Sequence, residues 1–262
     1  MKELLDLERY PIDRLESAEG AALVARCQAD LAVEGMFNLH GLVHRHVIER
    51  CATVLQPLLD TVSYTHKRSH NVYFLNSVAG LDSDHPALRH TETLNHTLCA
   101  DQLRDTDIGR IYAWRPLADF LAAVMKKPHL HLMEDPLASV NVMGYRAGET
   151  LNWHFDRSQF TTTLLIQASE SGGEFEYCSN LRSEADPNYD GVARVLDGDR
   201  SLIRKLAVKP GTLNVFKGKN ALHRVSPPSG GRDRIIAVFS YYERPGVVFS
   251  PEERLGFYGR AG

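Results

Sequence analysis

The spacing of hydrophobic and polar positions divides this 262-residue chain into a mainly helical first part and a strand-rich second part. Residues 17–34 carry apolar side chains at helical spacing, with Ser17 as a capping residue and Gly35 as a stop. That combination predicts a helix. Helical spacing returns over 44–60 and predicts a second helix.

The rest of the first part mixes other patterns. Strand-type alternation over 36–43 and 71–77 predicts two strands, and Gly, Pro, Asp and His residues predict loops over 78–107. A third helical pattern runs over 108–127, and Pro116 predicts a bend in it. This part of the chain is expected to brace another structure.

After residue 128 the pattern changes to short strand-like runs separated by turn residues, which are HLHLM, SVNVMGYR, LNWHF, FTTTLLIQ, GEFEYC, SLIRKLAV, TLNVFKG, ALHRV and RIIAVFSYY. Such a succession is typical of a β-sandwich or barrel. No internal repeat is present, so a solenoid or propeller is disfavoured. We predict an α+β fold in one domain, 1–262, with helical bracing and a lid over 1–128 and a β core over 129–245.

Composition narrows the functional classes. The formal net charge is −3 and the pI is near 6.5, which argues against nucleic acid as a partner. No apolar run is long enough for a membrane span, and the first residues do not resemble a signal peptide. Four cysteines without C-x-x-C spacing suit reduced thiols. We predict a cytoplasmic protein without a membrane partner; the sequence does not specify its oligomeric state.

The candidate chemistry lies in the segment that contains His154 and Asp156, together with the later His223. Residues i and i+2 of a strand point to the same face, so His154 and Asp156 can reach one point while Phe155 faces away. With His223 they form a set of two imidazoles and one carboxylate, which leaves coordination positions open on Fe(II). An isolated H-x-D is common by chance, so the surrounding segments must decide.

Four segments resemble the double-stranded β-helix core, a jelly-roll or cupin-like barrel, of the Fe(II)/2-oxoglutarate-dependent oxygenases, near the prolyl-hydroxylase type. They are Tyr145-x-x-Gly148 leading into His154-x-Asp156, TLLIQASESGGEFEY, VKPGTLNVFKG and HRVSPPSGGRDRIIAVF. The resemblance implies a hydroxylase whose metal ligands are His154, Asp156 and His223, with no further catalytic residue. It also implies Fe(II), 2-oxoglutarate and O2 as cofactor and co-substrates, with ascorbate as a reductant.

The same resemblance assigns the 2-oxoglutarate site. A basic residue after the distal histidine holds the far carboxylate, and both Arg232 and Arg234 fit by type. We prefer Arg232, which lies nine residues after His223, and keep Arg234 as the second choice. Tyr145 and Thr163 are expected to contribute hydroxyl groups.

A finer similarity is to the branch of these enzymes that acts on free amino acids and includes radical lysine halogenases and related hydroxylases. The segments HFDRSQFTTTLLIQ, DHPALRH and SHNVYF carry it. Halogenases of that branch have a small residue where the carboxylate ligand should be, and this chain keeps Asp156, which implies hydroxylation. A substrate α-carboxylate requires a cation, and Arg68 or His70 is the candidate.

Several alternatives remain open at this stage. They are a halogenase of the same branch, a hydroxylase of a protein side chain, a Zn or Mn cupin-like isomerase that does not use 2-oxoglutarate, and a non-catalytic binding protein. The helical first part and the insertion over 179–200 are candidate lids for a small-molecule substrate, because binding loops on a rigid barrel commonly carry specificity.

Overall fold

The computed structural model describes residues 1–262, in which seven α-helices pack against antiparallel sheets. The helices are α1 Ala18–Val33, α2 Arg45–Thr61, α3 Ala100–Leu103, α4 Asp107–Tyr112, α5 Arg115–Val124, α6 Tyr189–Leu196 and α7 Pro251–Tyr258, with a 3₁₀ turn at Pro86–Leu88. The strands are β1 Met36–Leu39, β2 Tyr64–His70, β3 Thr91–Leu98, β4 His131–Leu132, β5 Val140–Tyr145, β6 Leu151–His154, β7 Thr161–Gln167, β8 Phe175–Cys178, β9 Arg204–Leu206, β10 Leu213–Phe216, β11 Leu222–Val225, β12 Arg234–Phe239 and β13 Tyr241–Tyr242.

Two sheets form the barrel. The larger has seven strands in the order β1-β10-β7-β12-β5-β3-β2, and the smaller has four in the order β6-β11-β8-β9. A short ribbon pairs β13 with β4. Strands distant in sequence are neighbours in both sheets, as the double-stranded β-helix requires. The predicted α+β class and barrel type are confirmed.

Helices cover the outer face of the larger sheet. Leu55 and Leu59 of α2 are buried in the main hydrophobic core, and Gly144 of β5 lies so close to Leu59 that a Cβ there would be 3.0 Å from its methyl group. Phe120 of α5 packs edge-on against Phe37 of β1, with ring centroids 6.0 Å apart. None of the seven helices is long and apolar enough to cross a membrane.

The first two predicted helices are confirmed. The hydroxyl oxygen of Ser17 accepts a hydrogen bond from the backbone N–H of Gly20 at 3.0 Å, and Gly35 follows α1 with a φ of 75°. The helix predicted over 108–127 is instead two helices, α4 and α5. Pro116 lies in the first turn of α5, where its missing N–H costs nothing, so it begins a helix and does not bend one.

The strand predicted over 71–77 is wrong. The Asn71 side-chain oxygen accepts hydrogen bonds from the backbone N–H groups of Tyr73 and Leu75, both at 3.1 Å, and folds this segment into a turn. The strands lie on either side of it, as β2 and β3. Their sequences, YTHKRSH and TETLNHTL, lack a clear hydrophobic alternation because the side chains of this hairpin that line a cavity are polar.

Candidate active site

Two adjacent strands of the smaller sheet bring the predicted metal ligands together. His154 ends β6 and is paired directly with His223 of β11. Asp156 follows β6, and its backbone N–H donates to the carbonyl of Gly218 at 3.0 Å. A Cβ on Gly218 would lie 2.2 Å from the Asp156 carboxylate, so glycine is required for this approach.

The three side chains converge on one point. The Nε2 atoms of His154 and His223 lie 3.3 and 3.4 Å from the two carboxylate oxygens of Asp156, and the ligand atoms are all within 4.8 Å of one another. Each Nδ1 lies close to a backbone carbonyl, that of Asn152 at 2.7 Å and that of Ala221 at 2.9 Å. These contacts place the proton on Nδ1 and leave the Nε2 lone pairs free to bind a metal.

The electrostatics favour the forms that bind metals. Burial, followed by the neighbouring His223, lowers the pKa of His154 and keeps it neutral. Burial opposes ionisation of Asp156, but the interactions of its carboxylate with the imidazoles of His223 and His154 outweigh burial and hold the carboxyl pKa well below its usual range. The hydroxyl of Thr161 also donates to this carboxylate. Neutral imidazoles and an ionised carboxylate are the ligand states that a metal requires.

A cavity of about 160 Å³ lies between the two sheets beside these ligands. Tyr145, Thr163 and Arg234 line it from the larger sheet, and Arg234 is paired with Tyr145 in the register of β12 and β5. Arg234 is only 3% exposed, and its Nε donates to the carbonyl of Gly173 at 3.0 Å. One terminal nitrogen of the guanidinium, Nη1, is buried without a hydrogen-bond partner.

Burial shifts the pKa values of two groups that line this cavity. Burial lowers the pKa of Arg234 to about 10, so the guanidinium still carries its charge at neutral pH. Burial also raises the pKa of Tyr145 to about 12, which keeps its hydroxyl protonated as a donor. The only hydrogen-bond contact of that hydroxyl is a weak one to the sulfur of Met143 at 3.6 Å. The cavity therefore offers a cation and a donor with unused capacity.

Arg232, the residue preferred from the sequence, does not line this cavity. Its side chain is outside the cavity, where Nε donates to the carbonyl of Ala168 at 2.7 Å and a terminal nitrogen lies 3.5 Å from that of Ser169. Arg234 is the first residue of β12 and lines the cavity, whereas Arg232 precedes the strand. Sequence spacing identified both residues but could not fix where the strand begins.

A second cavity, of about 280 Å³, adjoins the same ligands and includes His154 and Asp156 in its wall. Alternate residues of β2, His66, Arg68 and His70, line it together with Thr93, Asn95 and Thr97 of β3, among which Asn95 is paired with His66 and Thr93 with Arg68. The period of two places all of these on one face of the hairpin. Both predicted substrate residues, Arg68 and His70, are in this wall.

Arg68 and His70 differ in what they can still bind. The guanidinium of Arg68 lies 5.2 Å over the ring of Phe74 and makes no hydrogen bond or ion pair. His70 has both nitrogens occupied, Nδ1 by the carbonyl of Asn71 at 3.0 Å and Nε2 by the hydroxyl of Thr93 at 2.9 Å. Burial lowers its pKa. A free anionic group would therefore find its partner in Arg68.

Sequence reasoning missed the C-terminal wall of this cavity. Phe249, Phe257 and Tyr258 line it from the segment that contains α7. The signal for a helix was present, because Ser250 and Glu253 form a capping box around a proline in the first turn. That signal identifies a helix but carries no information about which cavity the helix covers.

The insertion over 179–200 does not reach either cavity. Its helix α6 buries Val192 and Val195 against Val72 and Trp153 on the outside of the smaller sheet. A polar His90-Thr91-Glu92 sequence begins β3 and also contributes nothing to the ligand set.

Several solved structures share this fold at low sequence identity. A prolyl-4-hydroxylase from Pseudomonas putida is 14% identical, with a TM-score of 0.52 over 82% of this chain and 97% of that one. The epimerase SnoN, in complex with Fe3+, alpha ketoglutarate and nogalamycin RO, is 14% identical with a TM-score of 0.57 over 84% of both chains. HygX from Streptomyces hygroscopicus, with nickel, 2-oxoglutarate and hygromycin B, is 12% identical with a TM-score of 0.55 over 82% and 86%.

Fold and ligand set together define the class: the chain has the double-stranded β-helix of the Fe(II)/2-oxoglutarate oxygenases and carries a His-Asp-His metal triad. No curated protein sequence matches it. The model of the Halogenase D family matches residues 20–247, and the chain belongs to that family. The resemblance to the oxygenase superfamily and to its halogenase-related branch is thus confirmed.

Proposed function

We propose that the protein is an Fe(II)/2-oxoglutarate-dependent dioxygenase that hydroxylates an unactivated C–H bond of a small molecule, a free amino acid. The observation that carries this proposal is the convergence of His154, Asp156 and His223 beside a cavity that the charged Arg234 lines. Metal ligands and an anion-binding group on shared walls are what this chemistry requires.

The residues present fit both groups. Two imidazoles and one carboxylate are the facial ligand set of non-haem Fe(II) oxygenases and leave sites open for a chelating co-substrate and O2. The partnerless Nη1 of Arg234 is a buried donor that needs an acceptor, and a carboxylate supplies one. When bound, Fe(II) would allow O2 to oxidise both the substrate C–H bond and 2-oxoglutarate, so that one oxygen atom would go to the substrate and the other to succinate, with CO2 released.

The protein's own residues bind and orient. Arg234 would hold the far carboxylate of 2-oxoglutarate, with the hydroxyls of Tyr145 and Thr163 as further donors. Thr161 and Gly218 fix the carboxylate of Asp156 against the two imidazoles. Burial of the cavity excludes water and strengthens each of these contacts.

Asp156 favours hydroxylation over halogenation. The family match makes chlorination the second candidate, since the matching family is that of Halogenase D. In this chain, however, a carboxylate occupies the third ligand position and is held by Thr161 and by both histidines. A chloride ion would have to displace a partly buried, hydrogen-bonded anion, which is costly.

The substrate pocket supports an amino acid as the substrate. Arg68 is a cation without a partner in the wall of a cavity that reaches His154 and Asp156. A carboxylate held by Arg68 would place the rest of a small molecule toward the metal site.

The four cysteines are unpaired and buried, which supports the cytoplasmic location expected from the sequence.

The test is turnover by protein loaded with Fe(II) under anaerobic conditions and then exposed to O2, 2-oxoglutarate and a panel of free amino acids, with chloride present. We expect one or more amino acids to stimulate succinate formation and to gain one oxygen atom in the product. A chlorinated product would favour the second candidate. Absence of succinate with iron bound would refute the proposal, and His154→Ala serves as the inactive control.

A further inference from the structure

The substrate cavity has an unusual distribution of charge. Asp156, a metal ligand, is the only acid among its lining residues, and the other ionisable groups there include Arg68, Arg157 and His66. The remaining wall is largely apolar and aromatic, with Phe74, Phe249, Phe257, Met143, Leu151 and Val238 among its members. No carboxylate is available in this wall to pair with a positively charged group of a substrate.

The two arginines are not equivalent. Arg157 lies at the surface and donates to the carboxylate of Glu253 on α7 at 3.0 Å, so its charge is already paired. Arg68 has no acidic partner, and its guanidinium rests on the face of Phe74. Arg68 can therefore pair with one anionic group of the substrate. The wall offers no unpaired partner for a second charged group of the substrate, whether positive or negative.

His66 contributes to this wall an imidazole ring that is stacked on a neighbour and has an unused nitrogen. Its ring stacks on Phe257, with centroids 6.2 Å apart and an angle of 17° between the planes. Its Nε2 atom is buried and has no hydrogen-bond partner. Burial, followed by the charge of Arg68, lowers its pKa, so the ring is neutral at neutral pH. A neutral imidazole can pair with an uncharged polar group but offers no charge to balance an ammonium.

We propose that this enzyme selects amino acids with an uncharged side chain, that His66 forms a hydrogen bond with a polar group on that side chain, and that basic amino acids are excluded. This inference rests on the proposed function, because it assumes that Arg68 holds the substrate carboxylate. A basic side chain would lose its hydration in the cavity without gaining a carboxylate, and it would share the cavity with Arg68.

The experiment is calorimetric titration of the protein loaded with Fe(II) and 2-oxoglutarate and kept anaerobic. The probes are L-leucine, L-methionine, L-glutamine and L-tyrosine as uncharged side chains, and L-lysine, L-ornithine and L-arginine as basic ones. We expect the best uncharged probe to bind at least ten-fold more tightly than any basic one. Equal or tighter binding of a basic probe, or no binding of any uncharged probe, would overturn the inference.

The same instrument separates this inference from the proposed function. Titration of 2-oxoglutarate into the Fe(II) protein comes first, and failure of that step would count against the proposed function. Binding of 2-oxoglutarate followed by a preference for lysine would leave the oxygenase intact and reject only the selectivity proposed here.

Variants of the β2 strand sharpen the result. His66→Phe keeps the stack on Phe257 and removes the nitrogen. It should weaken binding of the best polar probe about ten-fold and leave binding of L-leucine within about two-fold of wild type. His66→Gln should restore part of the lost affinity for the polar probe. Arg68→Ala should abolish binding of every probe. Lys67→Ala is the matched control, because Lys67 is on the opposite, exposed face and pairs with Glu92 at 3.4 Å. Equal weakening of L-leucine and the polar probe in His66→Phe would remove His66 from the proposal.

Discussion

The two cavities beside the metal ligands are built from different parts of the fold. The smaller one is lined from the larger sheet by β5, β7, β10 and β12, which are interior strands with hydrogen-bonded neighbours on both sides, and from the smaller sheet by β6, β8 and β11. The larger one is lined by the β2–β3 hairpin, in which β2 is the edge of that sheet, and by the C-terminal segment around α7. Interior register fixes the first cavity, while an edge and a terminal helix shape the second.

This difference suggests a division of labour. Arg234 is buried and paired with Tyr145, and its strand β12 is held between β5 and β7, so the cavity proposed for 2-oxoglutarate suits a constant ligand. The substrate cavity depends on side chains of a hairpin face and on Phe249 and Phe257, which can change without disturbing the barrel. Specificity can therefore vary while the cofactor chemistry stays the same.

The largest expected effect concerns the metal ligands. His223→Ala removes one metal ligand. Loss of a group that only orients a ligand lowers metal affinity about 10- to 100-fold, so loss of the ligand itself should lower iron affinity by more than about 100-fold. Competition with a chelator measures this affinity. His129→Ala replaces an exposed histidine outside both cavities and should leave the affinity unchanged. Iron binding of His223→Ala at the wild-type level would remove His223 from the ligand set.

A second prediction separates the two cavities through the anchor of the C-terminal segment. The side chain of Asp135 is fully buried, and its Oδ2 accepts hydrogen bonds from the backbone N–H of Phe249 at 2.9 Å and from Nε of Arg254 at 2.8 Å. In Asp135→Asn, one orientation of the side chain places the amide N–H₂ group opposite these donors, so that a donor faces a donor. We expect the free energy of unfolding to fall by about 3 kcal/mol in urea titrations, with 2-oxoglutarate affinity unchanged.

The control and the pH dependence follow from the same contacts. Asp101→Asn breaks only the half-exposed pair with Arg260 and should cost less than about 1 kcal/mol. Burial raises the pKa of Asp135, but hydrogen bonds from Leu137, Phe249 and Arg254 outweigh it and lower the value below 3.8. Its stabilising contribution is therefore complete above that ordinary value and is lost as pH falls through the lower, folded one. An undiminished difference between wild type and Asp135→Asn far below 3.8 would contradict this account.

The smallest expected effect concerns one hydroxyl of the 2-oxoglutarate cavity. Thr163 lines it, and its only polar contact is a long one of 3.5 Å to the carbonyl of Asn214. Thr163→Val removes the hydroxyl at nearly constant shape, and loss of about 1 kcal/mol should weaken 2-oxoglutarate binding about five-fold with iron affinity unchanged. An unaltered affinity would show that this hydroxyl does not contact the co-substrate.

The contrast also explains what the sequence could predict. The metal ligands were predictable because His154 and Asp156 are two residues apart at a strand end. His223 begins the segment HRVSPPSGGRDRIIAVF, which resembles the core of the oxygenases. The barrel strands after residue 128 were predictable from short apolar runs. Local pattern is sufficient wherever one strand or one hairpin carries the feature.

The remaining features depend on long-range structure. Choosing Arg234 over Arg232 requires the point at which β12 begins, and that point is set by pairing with β5 and β7. The β2–β3 hairpin was missed because its cavity-facing side is polar, which hides the alternation that identifies a strand. The role of α7 could not be predicted, since its capping box reports a helix and not the cavity that Phe257 covers.

The measurement that tests the central claim most directly is anaerobic titration of 2-oxoglutarate into Fe(II)-loaded wild type, Arg234→Met and Arg232→Met. Removing the buried guanidinium should cost 2 kcal/mol or more, so Arg234→Met should weaken binding by at least about 30-fold. Arg232→Met should remain within about two-fold of wild type, because its guanidinium bonds only to backbone carbonyls outside the cavity. Comparable binding by Arg234→Met and wild type, or a larger loss in Arg232→Met, would contradict the account.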